Sequence, residues 1–247
     1  MRSLPTVVTS ALCLAIAATA AHAQRPLKVY ISADMEGVAG VVSGDQLSPS
    51  AFEYERFRGF MTAEVLAAIQ GARDAGATSI VVSDSHGNGE NILIERLPDD
   101  VTLVRSWPRP LMMMQGIDSS FSAAVFIGYH ASTTNTVGVR AHTISSALLT
   151  RVELNGVAVP EAGINAAIAA HFGVPVVMVS GDEAAVTETQ KLLGHADVRT
   201  TQRFYTRSDA DRTANVVSAL DRRLGSDVDT PVDTNAQNAS RETATTA

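Results

Sequence analysis

The chain of 247 residues contains one cysteine, Cys13. It lies in a leader-like amino terminus, so the processed chain has no thiol. Disulfides, a cysteine nucleophile and thiolate metal sites are thereby excluded. Long apolar runs are lacking as well. Val7 to Ala21 is a short apolar and small-residue stretch, and no later stretch reaches the roughly 18 apolar residues of a membrane span. Positive charge is scarce: 19 Lys and Arg stand against 26 Asp and Glu, for a formal net charge of −7. Phosphate backbones call for a basic surface, so nucleic acid is not expected as a partner.

The amino terminus instead carries a secretory signature. Arg2 supplies a positive start, the apolar run follows, and Ala21-His22-Ala23 forms a small-residue cleavage site before Gln24. Leu12 before Cys13 is a poor match to a lipoprotein signal. Residues 1–23 therefore read as a signal peptide, which predicts a periplasmic or secreted protein with no membrane association after cleavage. The remainder suffices for one large domain or two small ones.

Along that remainder strands alternate with helices. Leu27 to Ala33, Ala77 to Ser83, Ala123 to Tyr129 and Val174 to Ser180 are short apolar runs suited to buried strands, and Val101 to Trp107 is a further one. Phe52 to Ala75 has apolar residues at helical spacing (Phe57, Phe60, Met61, Val65, Leu66, Ile69) and meets a stop at Gly76. Ala162 to Phe172 and Asp182 to Leu193 read as helices, and Arg151 to Val159, centred on Asn155-Gly156, as a hairpin. This order predicts an α/β fold, a largely parallel sheet flanked by helices, with ligands gathered beyond the carboxyl ends of the strands.

Chemistry-bearing residues fall at those ends. Asp34 and Glu36 follow the first strand, His86 the second and His130 the fourth run, while Glu161 opens a helix after Pro160. Two imidazoles and three carboxylates suit a pair of divalent cations, a combination that activates water against stable bonds. Residues i and i+2 of an extended segment face one way, so Asp34 and Glu36 can reach one centre. Gly37 and Gly40 let the backbone turn there. Each residue alone has a plainer explanation: a loop carboxylate, a turn or core histidine, or charge complementarity at a helix start. Asp84 either orients a ligand imidazole or caps a turn. His142 has no apolar run beside it, and His171 reads as packing or surface.

The stretches Tyr-Ile-Ser-Ala-Asp-Met-Glu-Gly, Val-Ser-Asp-Ser-His-Gly, Phe-Ile-Gly-Tyr-His-Ala, Gly-Val-Arg-Ala-His-Thr, Glu-Ala-Gly-Ile-Asn-Ala and Pro-Val-Val-Met-Val-Ser-Gly-Asp occur in this order between residues 27 and 193. They resemble the zinc-dependent D-aminopeptidase family associated with dipeptide transport. That resemblance implies two zinc ions per subunit, one held by Asp34, Glu36 and His86, the other by His130 and Glu161, with Asp34 bridging. It also implies that His142 is the catalytic histidine, as proton donor or oxyanion stabiliser. The expected activity is release of N-terminal D-amino acids such as D-Ala from short peptides, in a homo-oligomer that is a decamer in the family.

Other readings remain at this stage. Another dinuclear metal hydrolase, an amidase or phosphoesterase, would use similar ligands, although Arg140 is the only obvious basic neighbour for a phosphate. An exported solute-binding protein would normally need two lobes and no ligand cluster. An inactive remnant of the peptidase family is suggested by the carboxyl end. There Leu193-Gly194-His195 precedes Tyr205, and residues 194–225 resemble the terminal box of tyrosine recombinases, a possible fusion. The upstream arginines of such enzymes are not found, so recombination is not expected. Residues 226–247 are small and polar and read as a disordered tail. The metallohydrolase domain is thus expected over residues 24–193.

Overall fold

The computed structural model describes residues 26–192. The expected signal peptide, the expected recombinase-like segment with His195 and Tyr205, and the expected polar tail lie outside the described residues. The chain divides into a compact unit ending at Thr189 and a second beginning at Gln190.

The described residues run β1 (Leu27–Ala33), α1 (Tyr54–Asp74), β2 (Ala77–Asp84), β3 (Val101–Val104), β4 (Ala123–Tyr129), a hairpin of β5 (Glu153–Leu154) and β6 (Val157–Ala158), α2 (Glu161–His171), β7 (Val176–Gly181) and α3 (Glu183–Leu192). The last turn of α3 crosses the boundary between the units. The main sheet has the order β3-β2-β1-β4-β7, and all its pairings are parallel. This is the α/β architecture expected from the alternating pattern. The chain moves outward from β1 through β2 to β3, then returns to place β4 on the other side of β1. The reversal opens a crevice between the carboxyl ends of β1 and β4, where open parallel sheets bind ligands.

Alternation along β1 divides the core. Val29, Ile31 and Ala33 belong to the cluster under α1, which presents Phe57, Met61, Val65 and Ile69 at four-residue spacing. Each large side chain so buried contributes about 1.5–3 kcal/mol. Tyr30 and Ser32 face the opposite side, where Tyr30 meets Phe121 edge-on at 5.4 Å and Asn165 of α2 reaches the sheet through Tyr129. Helices thus cover both faces.

Most expected boundaries shift by only one or two residues. The larger difference is β3, which ends at Val104 rather than Trp107. Ser106 has φ +64°, so the backbone leaves extended geometry there, and its N–H donates to the Gly89 carbonyl instead. Helix α1 starts at Tyr54, leaving Phe52 exposed. Gly76, at φ +94°, ends the helical run in the left-handed conformation favoured at that position. At the hairpin tip Asn155 and Gly156 have φ +52° and +79°, the paired positive values of a two-residue primed turn.

Candidate metal centre

All six candidate residues converge beyond the sheet's carboxyl rim. Strand geometry stops at Ala33, yet the alternation persists through the turn: Met35 is buried in the α1 core, and Asp34 and Glu36 point together to the other side. Asp34 Oδ1 lies 3.4 Å from His86 Nδ1, and Glu36 Oε2 lies 2.9 Å from the same nitrogen. The second Asp34 oxygen, Oδ2, is 3.4 Å from His130 Nε2, which is also 3.4 Å from Glu161 Oε2. Asp34 therefore stands between two three-residue groups, Asp34–Glu36–His86 and Asp34–His130–Glu161, and a third group, Glu36–His130–His142, links them from the side of His142. Within each group the donor atoms lie within 4.8 Å of one another.

His130 is placed by an irregularity in β4. Gly128 has φ +71°, and the β4–β7 register shifts between Phe126 and Tyr129. A bulge of this kind reverses the facing of the next side chain. Tyr129 accordingly packs at 5.3 Å from the Phe126 ring on the α2 side, and its hydroxyl meets Ser32 Oγ at 2.6 Å and the Asn165 amide at 2.7 Å. The next residue, His130, is then delivered to the crevice.

A main-chain carbonyl holds each of the three imidazoles. Leu47 O lies 2.9 Å from His86 Nε2, Ala131 O lies 3.1 Å from His130 Nδ1, and Arg140 O lies 2.9 Å from His142 Nδ1. A carbonyl only accepts, so each of these nitrogens carries the proton and the other nitrogen is left facing carboxylates. This is how outer partners set the tautomer of a metal-binding histidine. Asp84 is not among these partners. Its carboxylate accepts the Asn91 and Ile92 N–H groups and the Asn91 side-chain amide, so it builds the turn after His86. Glu161 is steadied by the Ile144 N–H at 2.7 Å. Ile144 itself has φ +66°, and Ser145 N–H donates back to Thr143 O, forming the strained form of γ-turn. Leu47 and Ile144 act only through backbone groups, so the sequence reading missed them; no side-chain signal marks them. His171 is exposed on α2, against Phe172, as expected.

His142 sits at the edge of the cluster. Its ring stacks on His130 with centroids 4.0 Å apart and planes 4° from parallel. Its Nε2 lies 3.8 Å from Glu36 Oε1 and 3.7 Å from Glu161 Oε1. Its side chain is 17% exposed, whereas that of His130 is fully buried.

The donor set fits divalent zinc. Asp34 Oδ2 and His130 Nε2 are buried without a hydrogen-bond partner, and buried charge or polarity left unpaired is costly. A cation between them resolves both. The mixed imidazole and carboxylate set is one that Zn²⁺ accepts. Without a cation, protons must serve. Burial alone would lower the His86 and His130 pKa values, but Glu36 and Asp34 around the first, and Asp34 and Glu161 around the second, hold them well above the ordinary imidazole value. Burial alone would raise Asp34 and Glu161, yet His130 and His86 keep Asp34 low, and His130 chiefly keeps Glu161 low.

These directions set a pH dependence. An imidazole with a raised folded-state pKa contributes stability below its unfolded pKa of about 6.5, and loses it as pH rises through the folded value. The metal-free protein should therefore lose melting temperature as pH rises above neutrality. Zinc must displace the protons held by His86 and His130, so its affinity should increase over the same range. Calorimetry in buffers of different ionisation enthalpy should register proton release on zinc binding at neutral pH. Binding without proton release would contradict this picture.

Comparison with known proteins agrees with the geometry. A family profile described as D-aminopeptidase matches residues 27–243. The curated D-aminopeptidase of Bacillus subtilis (strain 168) is 34% identical over 182 residues, covering 74% of this chain and 66% of that protein. The solved structure of the Zn-dependent D-aminopeptidase DppA from Bacillus subtilis, described as a self-compartmentalizing protease, superposes with a TM-score of 0.62 at 34% identity. That match covers 67% of this chain and 60% of the solved one. The chain thus spans slightly less than two thirds of the length of these relatives. With the profile matched over most of its length, the chain belongs to the D-aminopeptidase family.

Proposed function

We propose that this protein is an exported, zinc-dependent aminopeptidase that releases N-terminal D-amino acids, D-Ala among them, from short peptides. The observation that carries the reading is Asp34, whose two oxygens face two separate His/carboxylate groups. On this reading Asp34, Glu36 and His86 hold one zinc, and Asp34, His130 and Glu161 hold a second. Zinc would supply Lewis-acid polarisation of the scissile carbonyl and water of lowered pKa. The chain's own residues supply orientation and the proton. His142 keeps a hydrogen on Nδ1 for the Arg140 carbonyl, so Nε2 is the atom that holds the mobile proton. It faces the second oxygens, Oε1, of Glu36 and Glu161, whose Oε2 atoms face His86 and His130, and it is the most accessible of the three imidazoles there. An amine leaves an amide only when protonated, and a developing oxyanion needs a donor; His142 Nε2 is placed for either.

Export rests on the signal-like residues 1–23, and assembly on the relative described as self-compartmentalizing together with the exposed Val137, Val139 and Leu148 of the loop around His142. The boundaries at residues 193 and 225 are part of the same proposal.

The test is turnover of D-Ala-p-nitroanilide against its L-Ala counterpart by the purified mature protein, with zinc content measured in parallel. Activity should require zinc, disappear with chelator and favour the D-substrate. Zinc without turnover would point to an inactive member of the family; neither zinc nor turnover would remove the proposal. Two variants separate the roles. His142→Ala should retain zinc and lose about 10²–10⁴-fold in kcat, the range for a general acid or base. His86→Ala should lose zinc from the first group. Full activity in His142→Ala would remove its assigned role.

A further inference from the structure

His142 is brought to the centre by a loop, not by a helix or strand. Residues 131–152 form neither helix nor strand, so individual bonds and not a regular ladder hold the segment. The carboxylate of Glu188 on α3 supplies three of them. Its Oε2 accepts the Ser132 N–H at 2.8 Å, and its Oε1 accepts the Ser132 hydroxyl at 3.0 Å and the Asn135 side-chain amide at 2.7 Å. The bonds then pass along the loop. Asn135 Oδ1 accepts the N–H groups of Val137 and Gly138, each at 2.9 Å. Gly138 packs so tightly that an added Cβ would lie 2.6 Å from the Ala131 Cβ. The His142 N–H closes the loop on Ala131 O at 3.0 Å, and the Thr133 N–H reaches Thr143 Oγ1 at 3.3 Å.

We infer that Glu188 is a positioning residue for the proposed peptidase reaction, acting through Ser132 and Asn135 to hold His142 over the metal centre. The inference rests on the function proposed above, but the geometry also makes it selective. His86 is oriented by Leu47 and Glu36, and Asp34, His130 and Glu161 are seated by β1, β4 and α2. All five ligands thus have supports besides the Glu188 bonds, with the loop reaching His130 through Ala131 O and Glu161 through the Ile144 N–H. A carboxylate accepting three hydrogen bonds is a strong anchor because its charge strengthens each of them. Loss of the anchor should therefore displace His142, whose hydrogen bonds to Ala131 O and Arg140 O lie within the loop, more than any of the metal ligands.

The experiment uses Glu188→Ala and Glu188→Gln in the full mature chain loaded with zinc. Glu188→Ala should keep its zinc content and KM while kcat falls roughly ten- to a hundredfold, the scale set by a misplacement of about 1 Å. Glu188→Gln, which retains an acceptor oxygen, should recover part of kcat. Imidazole N–H resonances give a readout independent of turnover. The His142 Nδ1–H signal should broaden or vanish in Glu188→Ala while the His86 Nε2–H signal persists. If Glu188→Ala does not fold, the kcat of Glu188→Gln, reduced at unchanged KM, carries the same expectation. Unchanged kcat with an intact His142 signal would overturn the inference, as would loss of the His86 and His142 signals together, which would mark a general structural role. An inactive wild type whose Glu188→Ala variant still loses only the His142 signal would sink the peptidase reading and leave the positioning role standing.

Discussion

Asp34→Ala should empty both halves of the metal centre and abolish turnover. Removing this one carboxylate reduces the two proposed zinc sites to Glu36 with His86 and His130 with Glu161, neither of which alone supplies the three protein ligands usual in catalytic zinc sites. It leaves Glu36–His130–His142, which includes the proposed proton carrier, as the one intact triad among the described residues. A Lewis acid contributes several kcal/mol of transition-state stabilisation, and each 1.36 kcal/mol is tenfold in rate. The expected loss in kcat/KM is thus at least about a thousandfold, with zinc content falling to near zero. Stability should respond as well. In the metal-free state Asp34 faces the raised imidazoles of both His86 and His130. Removing one partner of a buried charged pair costs about 3–5 kcal/mol. Glu36→Ala is the control, since Glu36 stands beside His86 but not in the Asp34–His130–Glu161 group; it should lose metal chiefly from the first half. If Asp34→Ala bound two zinc ions per chain, the bridging role would be untenable.

Gly181→Ala should be the most damaging single-methyl change outside the ligands. A Cβ built on Gly181 would lie 1.8 Å from the Tyr129 carbonyl oxygen, and one on Gly37 would lie 1.9 Å from that same oxygen. The obstacle is backbone, held on one side by the Gly37 N–H to Gly128 O bond and on the other by the Asp182 N–H to Tyr129 O bond. Neither chain can yield without separating the ends of β1, β4 and β7, and overpacking against backbone costs about 3 kcal/mol or more. The peptide at stake precedes His130, so any molecules that fold should also bind zinc weakly. Gly59→Ala and Gly71→Ala offer the contrast. Both glycines lie in α1, and a Cβ on either meets nothing within 4 Å. There the helix should gain about 0.5–1 kcal/mol from replacing glycine. Thermal melts of the three variants would decide the matter; a Gly181→Ala protein melting like the parent would refute the close approach described at Tyr129.

The strands and the candidate ligands could be read from the residues because both leave marks in side-chain chemistry. Leu27 to Ala33 and Ala123 to Tyr129 are apolar enough to declare themselves, and Asp34, His86 and His130 follow their strands at the rim where a parallel sheet gathers ligands. The i, i+2 relation of Asp34 and Glu36 held even though the strand ends at Ala33, because the buried Met35 anchors the turn between them. Backbone geometry left fewer marks. Nothing in Leu47, Ala131 or Arg140 announces a carbonyl aimed at an imidazole, and nothing in Ile144 suggests a positive φ. Asp84, one position from Ser85 and two from His86, allowed two roles by sequence; the position of Asn91 decided between them. Gly128 and Gly181 did carry a signal, since glycine within a strand pattern often marks a close backbone approach. What sequence alone did not supply was the partner being approached.

The three imidazoles share a feature with consequences for how such a centre survives mutation. Each ring is held by a peptide oxygen, a group every amino acid possesses. The side chains of Leu47 and Ala131 are constrained by their own burial, but no side-chain chemistry at positions 47, 131 or 140 is needed for the tautomers, which persist as long as the local chain path does. Searches that weigh side-chain identity around the ligands would overlook distant descendants whose centre is built from the same loops with unfamiliar letters.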